Sequence, residues 1–184
     1  MQATHLDAER RYEQLRLEAR KLAEASLPPK YKGVVSLKGI DSHSLARAKA
    51  WKVSDKRQVD WEWTAGYNLY SLRYPKRFEL AIWKSDILCG LSIGRPSYNG
   101  SRLRIDFVER APDNCPLRGQ VMQINLLAAE AYALRIGADE LRIMHPSNQE
   151  LVNYYSRYGY KYVKGTMGFD DAHEQKPHYL YKRL

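Results

Sequence analysis

The second half of the chain alternates patterns typical of strands and helices, and this alternation limits the fold more than any other feature of the sequence. Apolar residues at spacings of three and four predict a helix over residues 119–136 with one face against a sheet, and Gly137 suits the position just past its end. A short apolar run predicts a strand at residues 141–144, and a second helix is predicted over residues 148–158. Strands and helices in such succession indicate an α/β domain. The apolar stripe of the first helix consists of Val121, Ile124, Leu127, Ala128, Ala131 and Leu134.

Further strands are predicted upstream. Residues 77–84 and 87–94 are two apolar runs separated by a two-residue turn, which predicts an antiparallel hairpin. Residues 102–109 predict a third strand in which apolar and polar residues alternate, so the apolar ones are expected to share the buried face. Those apolar residues are Leu103, Ile105 and Phe107. The remaining strands are predicted at residues 34–37, 160–163 and 179–182.

The N-terminus predicts a separate helix over residues 7–25. Leu15, Ala19 and Leu22 form its apolar side, and charged residues fill a solvated face. Two consecutive prolines end it, because proline cannot continue a helix. We therefore expect residues 1–29 to form a helical extension that docks on the domain or on a second subunit, as in a homodimer. Residues 30–184 are expected to form a single domain.

Two further helices are predicted between this extension and the strands. The first ends at about residue 51, and Asp41 or Ser42 suits its N-cap because both side chains accept hydrogen bonds from free backbone N–H groups. The second covers about residues 61–72, an aromatic segment that is expected to lie in the core.

The chain has a formal net charge of +9, part of which is concentrated in residues 30–57. Eight basic residues stand there against Asp41 and Asp55. Such an excess favours an anionic partner, which includes nucleic acid such as tRNA or DNA, an acidic protein or a phosphate-bearing cofactor. A basic solvated surface without a partner is the alternative. The basic residues are Lys30, Lys32, Lys38, Arg47, Lys49, Lys52, Lys56 and Arg57.

Several classes of function are disfavoured by the composition. No apolar run approaches the roughly 20 residues of a membrane span, so no membrane partner is expected. The two cysteines, Cys89 in an apolar run and Cys115 in a polar loop without a visible partner, favour a reduced cytoplasmic protein. The five histidines are scattered without the spacing of metal ligands, so no metal is expected.

The segment LRIGADELRIMHPSNQELVNYYSRYGY, residues 134–160, carries a resemblance to a known family. Gly137 precedes a strand, Asn148 opens a helix, and Tyr155 stands four residues before Gly159. With these features, residues 77–163 resemble the GNAT superfamily of acyl-CoA-dependent N-acyltransferases. The resemblance implies a mixed, mostly antiparallel sheet with helices on both faces and a V-shaped splay between strands four and five. It also implies that acyl-CoA, most simply acetyl-CoA, binds in that splay.

The resemblance places the cofactor on three segments. The pantetheine arm would bond to the fourth strand at Phe107 and Val108, and the pyrophosphate would lie at the start of the helix that follows the 116–121 loop. The family pattern there is Arg or Gln, two residues, Gly, any residue, then Gly or Ala, whereas this chain has PLRGQV. Proline removes one N–H group, and valine at the last position is expected to narrow the approach of the backbone to the phosphates. The implied cofactor residues are Phe107, Val108, Arg118, Gly119, Gln120, Val121 and Asn148, although Asn148 or Ser147 would also suit a helix N-cap.

The resemblance further assigns two catalytic residues. Tyr155 would be the general acid that protonates the leaving thiolate, and Glu109, at the end of the fourth strand, would be the base. Packing is the alternative role for Tyr155, with Tyr154 as its competitor. Surface ion pairing with Arg102, Arg104 or Arg110 is the alternative for Glu109 and for Asp106. His145 is interpreted as a base, a substrate ligand or a loop residue.

The function predicted from the sequence is therefore acyl-CoA-dependent N-acyltransfer, by direct attack of an amine in a ternary complex. The amine would belong to a small molecule, a protein or a charged RNA. A non-catalytic module of the same fold that binds nucleic acid or protein through its basic surface is the second hypothesis. An enzyme that has diverged to another reaction, such as modification of a nucleobase, is the third.

Overall fold

A computed structural model describes residues 5–57, 59, 61–165 and 178–184, and these form one sheet covered by helices on both faces. The strands are β1 Val35–Lys38, β2 Phe78–Lys84, β3 Ile87–Pro96, β4 Arg102–Arg110, β5 Glu140–Met144, β6 Lys161–Val163 and β7 Tyr179–Arg183. The sheet has the order β1-β2-β3-β4-β5-β7-β6. Only β4 and β5 are parallel, and every other neighbouring pair is antiparallel. The predicted mixed, mostly antiparallel α/β fold is confirmed.

The helices are α1 His5–Ala25, α2 Ser42–Lys49, α3 Trp63–Arg73, α4 Val121–Arg135 and α5 Gln149–Ser156, with 3-10 turns at Pro29–Tyr31 and Ala50–Val53. Helices α1 and α4 pack on one face of the sheet, and α2 and α3 contribute to the core on the other face. Asp41 is the N-cap of α2, since its side chain accepts from the N–H of Ser44 at 2.7 Å. Within the described ranges, no helix has both the length and the apolar character that a membrane span requires.

The buried side of α1 is different from the predicted one. Leu22 is 46% exposed, whereas Arg16 and Arg20 are buried beside Ala19. The Arg16 guanidinium is neutralised within the helix by Glu9 and Glu13, at 2.5 and 2.7 Å, so its burial leaves no uncompensated charge. It also donates to the carbonyl of Pro75. The helix thus shares the core of the sheet, and a domain boundary after residue 29 stays a prediction.

The buried face of α4 is also wider than the predicted stripe. Leu127 and Leu134 are exposed, at 37% and 60%. Asn125, Tyr132 and Ala133, none of them in the stripe, are fully buried. The reason is that α4 is covered on two sides, by the sheet and by α1, so a single-face pattern could not describe it.

A bulge in β4 changes the face of the sheet on which the following side chains lie. Ile93 is opposite Phe107 but Gly94 is opposite Ile105, so Asp106 is an extra residue in β4. As a result Phe107 packs against the core on the α2 and α3 side, not with Leu103 and Ile105 as the alternation predicted. The bulge is tight: a Cβ on Gly94 would lie 2.3 Å from the carbonyl oxygen of Arg104.

The parallel strands β4 and β5 separate directly before this bulge. Their pairing runs from Arg102 with Glu140 to Ile105 with Ile143 and ends there. Beyond it, β5 continues against β7 while β4 remains paired only with β3. The predicted splay between strands four and five is therefore confirmed.

Candidate active site

A cleft of about 990 Å³ occupies the gap between the diverging strands. One wall is β4 from Arg104 to Arg110, and another is the start of α4 with Gly119, Val121 and Met122. The residues after β5 and the helix α5 close one side, and α3 with the segment before it closes the other. Of the predicted site residues, Phe107, Val108, Glu109, Gly119, Val121 and Tyr155 line this cleft.

The open edge of β4 can be assigned from its hydrogen bonds to β3. The N–H of Ala111 donates to the carbonyl of Cys89 at 2.9 Å, so Ala111 is directed towards β3. Main-chain groups of successive strand residues are directed to opposite neighbours. Glu109 and Phe107 therefore face β3, and the N–H and C=O groups of Val108 and Arg110 face the gap. A ligand in the gap finds its backbone partners at these two residues.

The loop before α4 presents a second group of backbone donors. Gly119 has φ +81, a conformation that favours glycine, and the N–H groups of Gln120 and Val121 both donate to the carbonyl of Leu117. The N–H groups of Gly119, Met122 and Gln123 have no acceptor within the described part of the chain. Donors at a helix start, next to the positive end of its dipole, suit a phosphate. Arg118 and Gln120 flank Gly119 without lining the cleft.

The side chain of Val121 packs onto β3. It is buried, and a Cβ on Gly90 would lie only 2.6 Å from Val121 Cγ1, so the valine covers the bare backbone of the strand. Because Val121 also lines the cleft, its effect on the approach of the backbone to the phosphates stays a prediction.

Glu109 is fully engaged at the end of β4. Its oxygens accept from Arg57, Nε to Oε1 at 2.7 Å and Nη2 to Oε2 at 3.0 Å, and from Trp63 Nε1 at 2.6 Å. The residue is 4% exposed. The sequence named Arg102, Arg104 and Arg110 as its ion-pair partners, and the partner is instead Arg57 from the basic segment.

Asp106, the bulge residue, is held on the same side of the cleft. It accepts from the hydroxyl of Tyr70 and from Arg104 Nε, both at 2.6 Å, and Arg95 Nε lies at 3.4 Å. Burial, and next the charge of Asp106, raise the pKa of Tyr70, so its hydroxyl stays protonated. Tyr70 and Arg95 were not recognised as site residues from the sequence.

Tyr155 lies on α5 at the other side of the gap. Its ring is 2% exposed, and its hydroxyl lies 2.9 Å from Met122 Sδ. Burial raises the pKa of Tyr155, and burial likewise raises that of Tyr154, whose ring stands edge-on at 5.5 Å. Both tyrosines line the cleft as neutral phenols, so position and not acidity distinguishes them.

His145 follows β5 and also lines the cleft. Its φ of +48 turns the chain sharply at this point, and its N–H donates to the carbonyl of His178 at 3.1 Å. Partial burial, then the neighbouring His178 and Arg104, lower the pKa of His145. Asn148 stands just beyond, and its Oδ1 caps α5 by accepting from the N–H of Leu151 at 2.9 Å. Asn148 does not line the cleft, so its contact with a cofactor stays a prediction.

Aromatic residues that the sequence assigned to the core form the floor of the site. The rings of Trp61 and Phe107 stack at 3.9 Å, and Trp63 holds Glu109. Tyrosine and tryptophan combine an apolar body with one polar group. Here the ring of Trp61 packs on Phe107, and the indole N–H of Trp63 donates to Glu109. The excess of such residues in the segment was the available signal, but nothing in the sequence paired them with β4.

The two cysteines are neighbours, contrary to the expectation that Cys115 has no partner. Cys115 Sγ lies 3.6 Å from the carbonyl oxygen of Cys89. A hydrogen bond from the Cys89 thiol is the main cause that lowers the pKa of Cys115, with the N–H of Leu117 and the guanidinium of Arg110 also contributing. This contact ties the loop before α4 to β3.

Together, the sheet order, the splay and the helix over the open edge of β4 define the fold of the chain. The chain has the GNAT fold. No family model matches the chain, and no curated protein matches it in sequence.

Solved structures that share this fold are distant from the chain in sequence. Ard1 from Thermoplasma volcanium matches with a TM-score of 0.61 and 10% identity over 82% of this chain and 98% of that chain. Naa50 from Arabidopsis thaliana, in complex with the bisubstrate analogue CoA-Ac-MVNAL, matches with a TM-score of 0.56 and 15% identity over 82% of this chain and 99% of that chain. The spermidine/spermine N-acetyltransferase SpeG from Vibrio cholerae matches with a TM-score of 0.57 and 11% identity over 82% of this chain and 92% of that chain. At these identities the similarity describes the fold.

Proposed function

We propose that this protein is an acyl-CoA-dependent N-acyltransferase, with acetyl-CoA as the simplest donor. The observation that carries the proposal is the end of the β4–β5 pairing at Ile105, which leaves the main-chain groups of Val108 and Arg110 directed into a cleft. Main-chain N–H and C=O groups without a strand partner can bond to a ligand instead, so this edge is a ready site for an extended ligand with amide groups. The bisubstrate analogue bound to Arabidopsis Naa50 contains CoA, which supports the same use of the fold here.

The described residues fit the parts of acyl-CoA. The gap edge at Val108 would bind the pantetheine amides, and the N–H groups of Gly119, Met122 and Gln123 would bind the pyrophosphate. Arg118 is exposed beside them and suits phosphate oxygens. Among the other predicted cofactor residues, Phe107 contributes a ring against Trp61, and Gln120 and Asn148 contribute side-chain amides. Bound there, acyl-CoA supplies a thioester whose carbonyl carbon accepts an amine.

The reaction requires two proton movements. As the amine nitrogen bonds to the carbonyl carbon, the C–S bond breaks, its electron pair goes to sulfur, and the nitrogen loses a proton. Tyr155 is proposed to protonate the leaving thiolate, because its neutral hydroxyl lies at the cleft wall beside Met122. Tyr154 remains its competitor.

Two groups compete for the proton of the amine. Glu109 is the base implied by the family resemblance, but both of its oxygens already accept from Arg57 and Trp63. His145 is exposed in the same cleft, and its lowered pKa keeps the ring neutral at neutral pH. We therefore propose that His145 receives the proton and that Glu109 positions Arg57 and Trp63.

The proposal is tested first by binding. Acetyl-CoA should raise the melting temperature, because a ligand that binds only the folded state stabilises it by mass action. Tyr155→Phe should keep this shift and lose turnover by about 10²-fold or more, whereas Tyr154→Phe, the matched control, should keep both. The absence of a shift at millimolar acetyl-CoA would reject the proposal, and equal losses in the two variants would reject the role of Tyr155.

A non-catalytic module that binds nucleic acid is the second candidate. Seven of the eight basic residues between 30 and 57 are exposed, which favours contact with an anionic macromolecule such as tRNA, DNA or an acidic protein. Lys52 and Lys56 are paired with Glu62 and Asp113 on the surface, whereas Arg57 is committed to Glu109. Charge reversal at Lys32, Lys38, Arg47 and Lys49 should abolish salt-sensitive retention on tRNA if this candidate is correct. Retention that is unchanged in this variant would exclude the surface.

A further inference from the structure

The cleft carries far more positive than negative charge. In the described part of the chain its wall contains six cationic side chains and two carboxylates. Fields of one sign are concentrated inside a cleft, so the excess attracts anions and repels cations. The cations are Lys56, Arg57, Arg73, Arg95, Arg104 and Arg110, and the carboxylates are Asp106 and Glu109.

Neither carboxylate is left to bind a cationic ligand. Glu109 accepts from Arg57 and from Trp63. Asp106 accepts from Tyr70 and Arg104 and has Arg95 in ion-pair distance. A ligand that brought further positive charge would find no partner of opposite sign in this wall.

The guanidinium groups of Arg73, Arg95 and Arg104 stand against one carboxylate of the cleft, Asp106, so two positive charges are left in excess. The side chains of Arg95 and Arg104 are 28% and 34% exposed although each contacts that carboxylate. Arg95 lies over the ring of Tyr74, with 4.2 Å between guanidinium carbon and ring centroid, and Arg73 is 5.5 Å from the same ring. A guanidinium stacked on a ring keeps its in-plane N–H groups available for two parallel bonds to a carboxylate or phosphate.

We propose that the acceptor substrate is a small amine that also carries a carboxylate or phosphate, and that this anionic group binds to Arg73, Arg95 and Arg104. The inference rests on the proposed N-acyltransferase function and names the substrate class of that site. It excludes polyamines as preferred acceptors, because each added ammonium group would meet the cationic excess. The same excess favours the neutral, nucleophilic form of the amine, since nearby like charges disfavour ammonium. A strong base is then not needed in the cleft.

The experiment compares amines on one scaffold. Tyramine, tyrosine and tyramine phosphate present no anion, a carboxylate and a phosphate, respectively, and spermidine presents several cations. Calorimetry measures binding of each amine to the protein at low and high salt, and thiol release from acetyl-CoA measures turnover. We expect the kcat/KM and the affinity for tyrosine or tyramine phosphate to be higher than those for tyramine by about tenfold or more. One charge-assisted hydrogen bond between the anionic group and an arginine accounts for a difference of this size.

Substitutions of the arginines test whether the anionic group binds to them. Arg73→Gln and Arg95→Gln should raise KM for the anionic amine by about tenfold and flatten the salt dependence of its binding, while the acetyl-CoA-induced melting shift is retained. Arg11→Gln, on the exposed side of α1, is the matched control and should change neither. Tyramine or spermidine bound and acetylated as well as the anionic amines would overturn the inference while leaving the acyltransferase function intact. If acetyl-CoA does not raise the melting temperature of the unmodified protein, the acyltransferase function itself is rejected. Calorimetric binding of tyramine phosphate, compared with tyramine, would then still show whether the arginines bind an anionic group.

Discussion

The ion pair between Arg57 and Glu109 offers the most decisive perturbation of this site. The two side chains are 14% and 3% exposed, and the carboxylate also accepts from Trp63. Glu109→Gln keeps an oxygen for Trp63 and removes the charge opposite Arg57. Removing one partner of a buried ion pair in this way costs about 3–5 kcal/mol. The amide oxygen and the residual exposure of Arg57 place the expected loss at about 3 kcal/mol.

Urea denaturation at neutral pH measures this loss, and a second variant gives the control. Arg57→Met should cost a similar amount, whereas Arg57→Met combined with Glu109→Gln should be at least about 1 kcal/mol more stable than the sum of the two single losses predicts, since both single changes remove the same interaction. If Glu109 is instead the free base of the reaction, Glu109→Gln should leave the unfolding midpoint in place, lower turnover and change the pH–rate profile. That result would refute the positioning role.

Three further predictions concern the strand bulge, the histidine and the cysteine pair. Gly94→Ala should cost about 3 kcal/mol in urea unfolding and weaken acetyl-CoA binding, because its Cβ would meet the carbonyl of Arg104 at 2.3 Å. Gly100→Ala, whose Cβ meets nothing within 4 Å, should cost only about 1 kcal/mol of backbone strain, and equal costs would contradict the clash. Turnover that depends on neutral His145 should fall in acid with a midpoint below pH 6.5, since the pKa of this ring is lowered from that value. His145→Gln should remove the fall, and an unchanged profile would dismiss His145 as base. Cys115 should be alkylated by iodoacetamide near neutral pH, because its pKa is lowered, and labelling that requires alkaline pH would contradict the contact with Cys89.

The elements of the second half could be predicted because their patterns are local. The helix over residues 121–135, the strand at 140–144 and the helix start at Asn148 each follow from periodicity, a cap and a terminal glycine. The splay could be predicted only from the family resemblance, because a pairing that stops within a strand leaves no trace in the alternation of its residues. The structure confirmed it.

The errors arose where residues distant in sequence meet. Leu127 was placed in the core because one face of a helix was assumed, and α1 created a second buried face on α4. Phe107 was placed with Ile105 because the alternation does not show the extra residue at Asp106. Arg57 was counted as a surface charge, since its partner Glu109 comes 52 positions later. In each case tertiary contacts, which composition and spacing do not encode, decided the outcome.

The contact between Val121 and Gly90 couples the start of α4 to the strand β3. An alanine at 90 would collide with the valine methyl group, and an alanine at 121 would leave the strand backbone uncovered. Because both positions share one contact, the effects of their substitutions on stability should not be additive. The residue that suits the start of α4 is thus set by the strand behind it, and a pattern along the loop alone contains only half of that constraint.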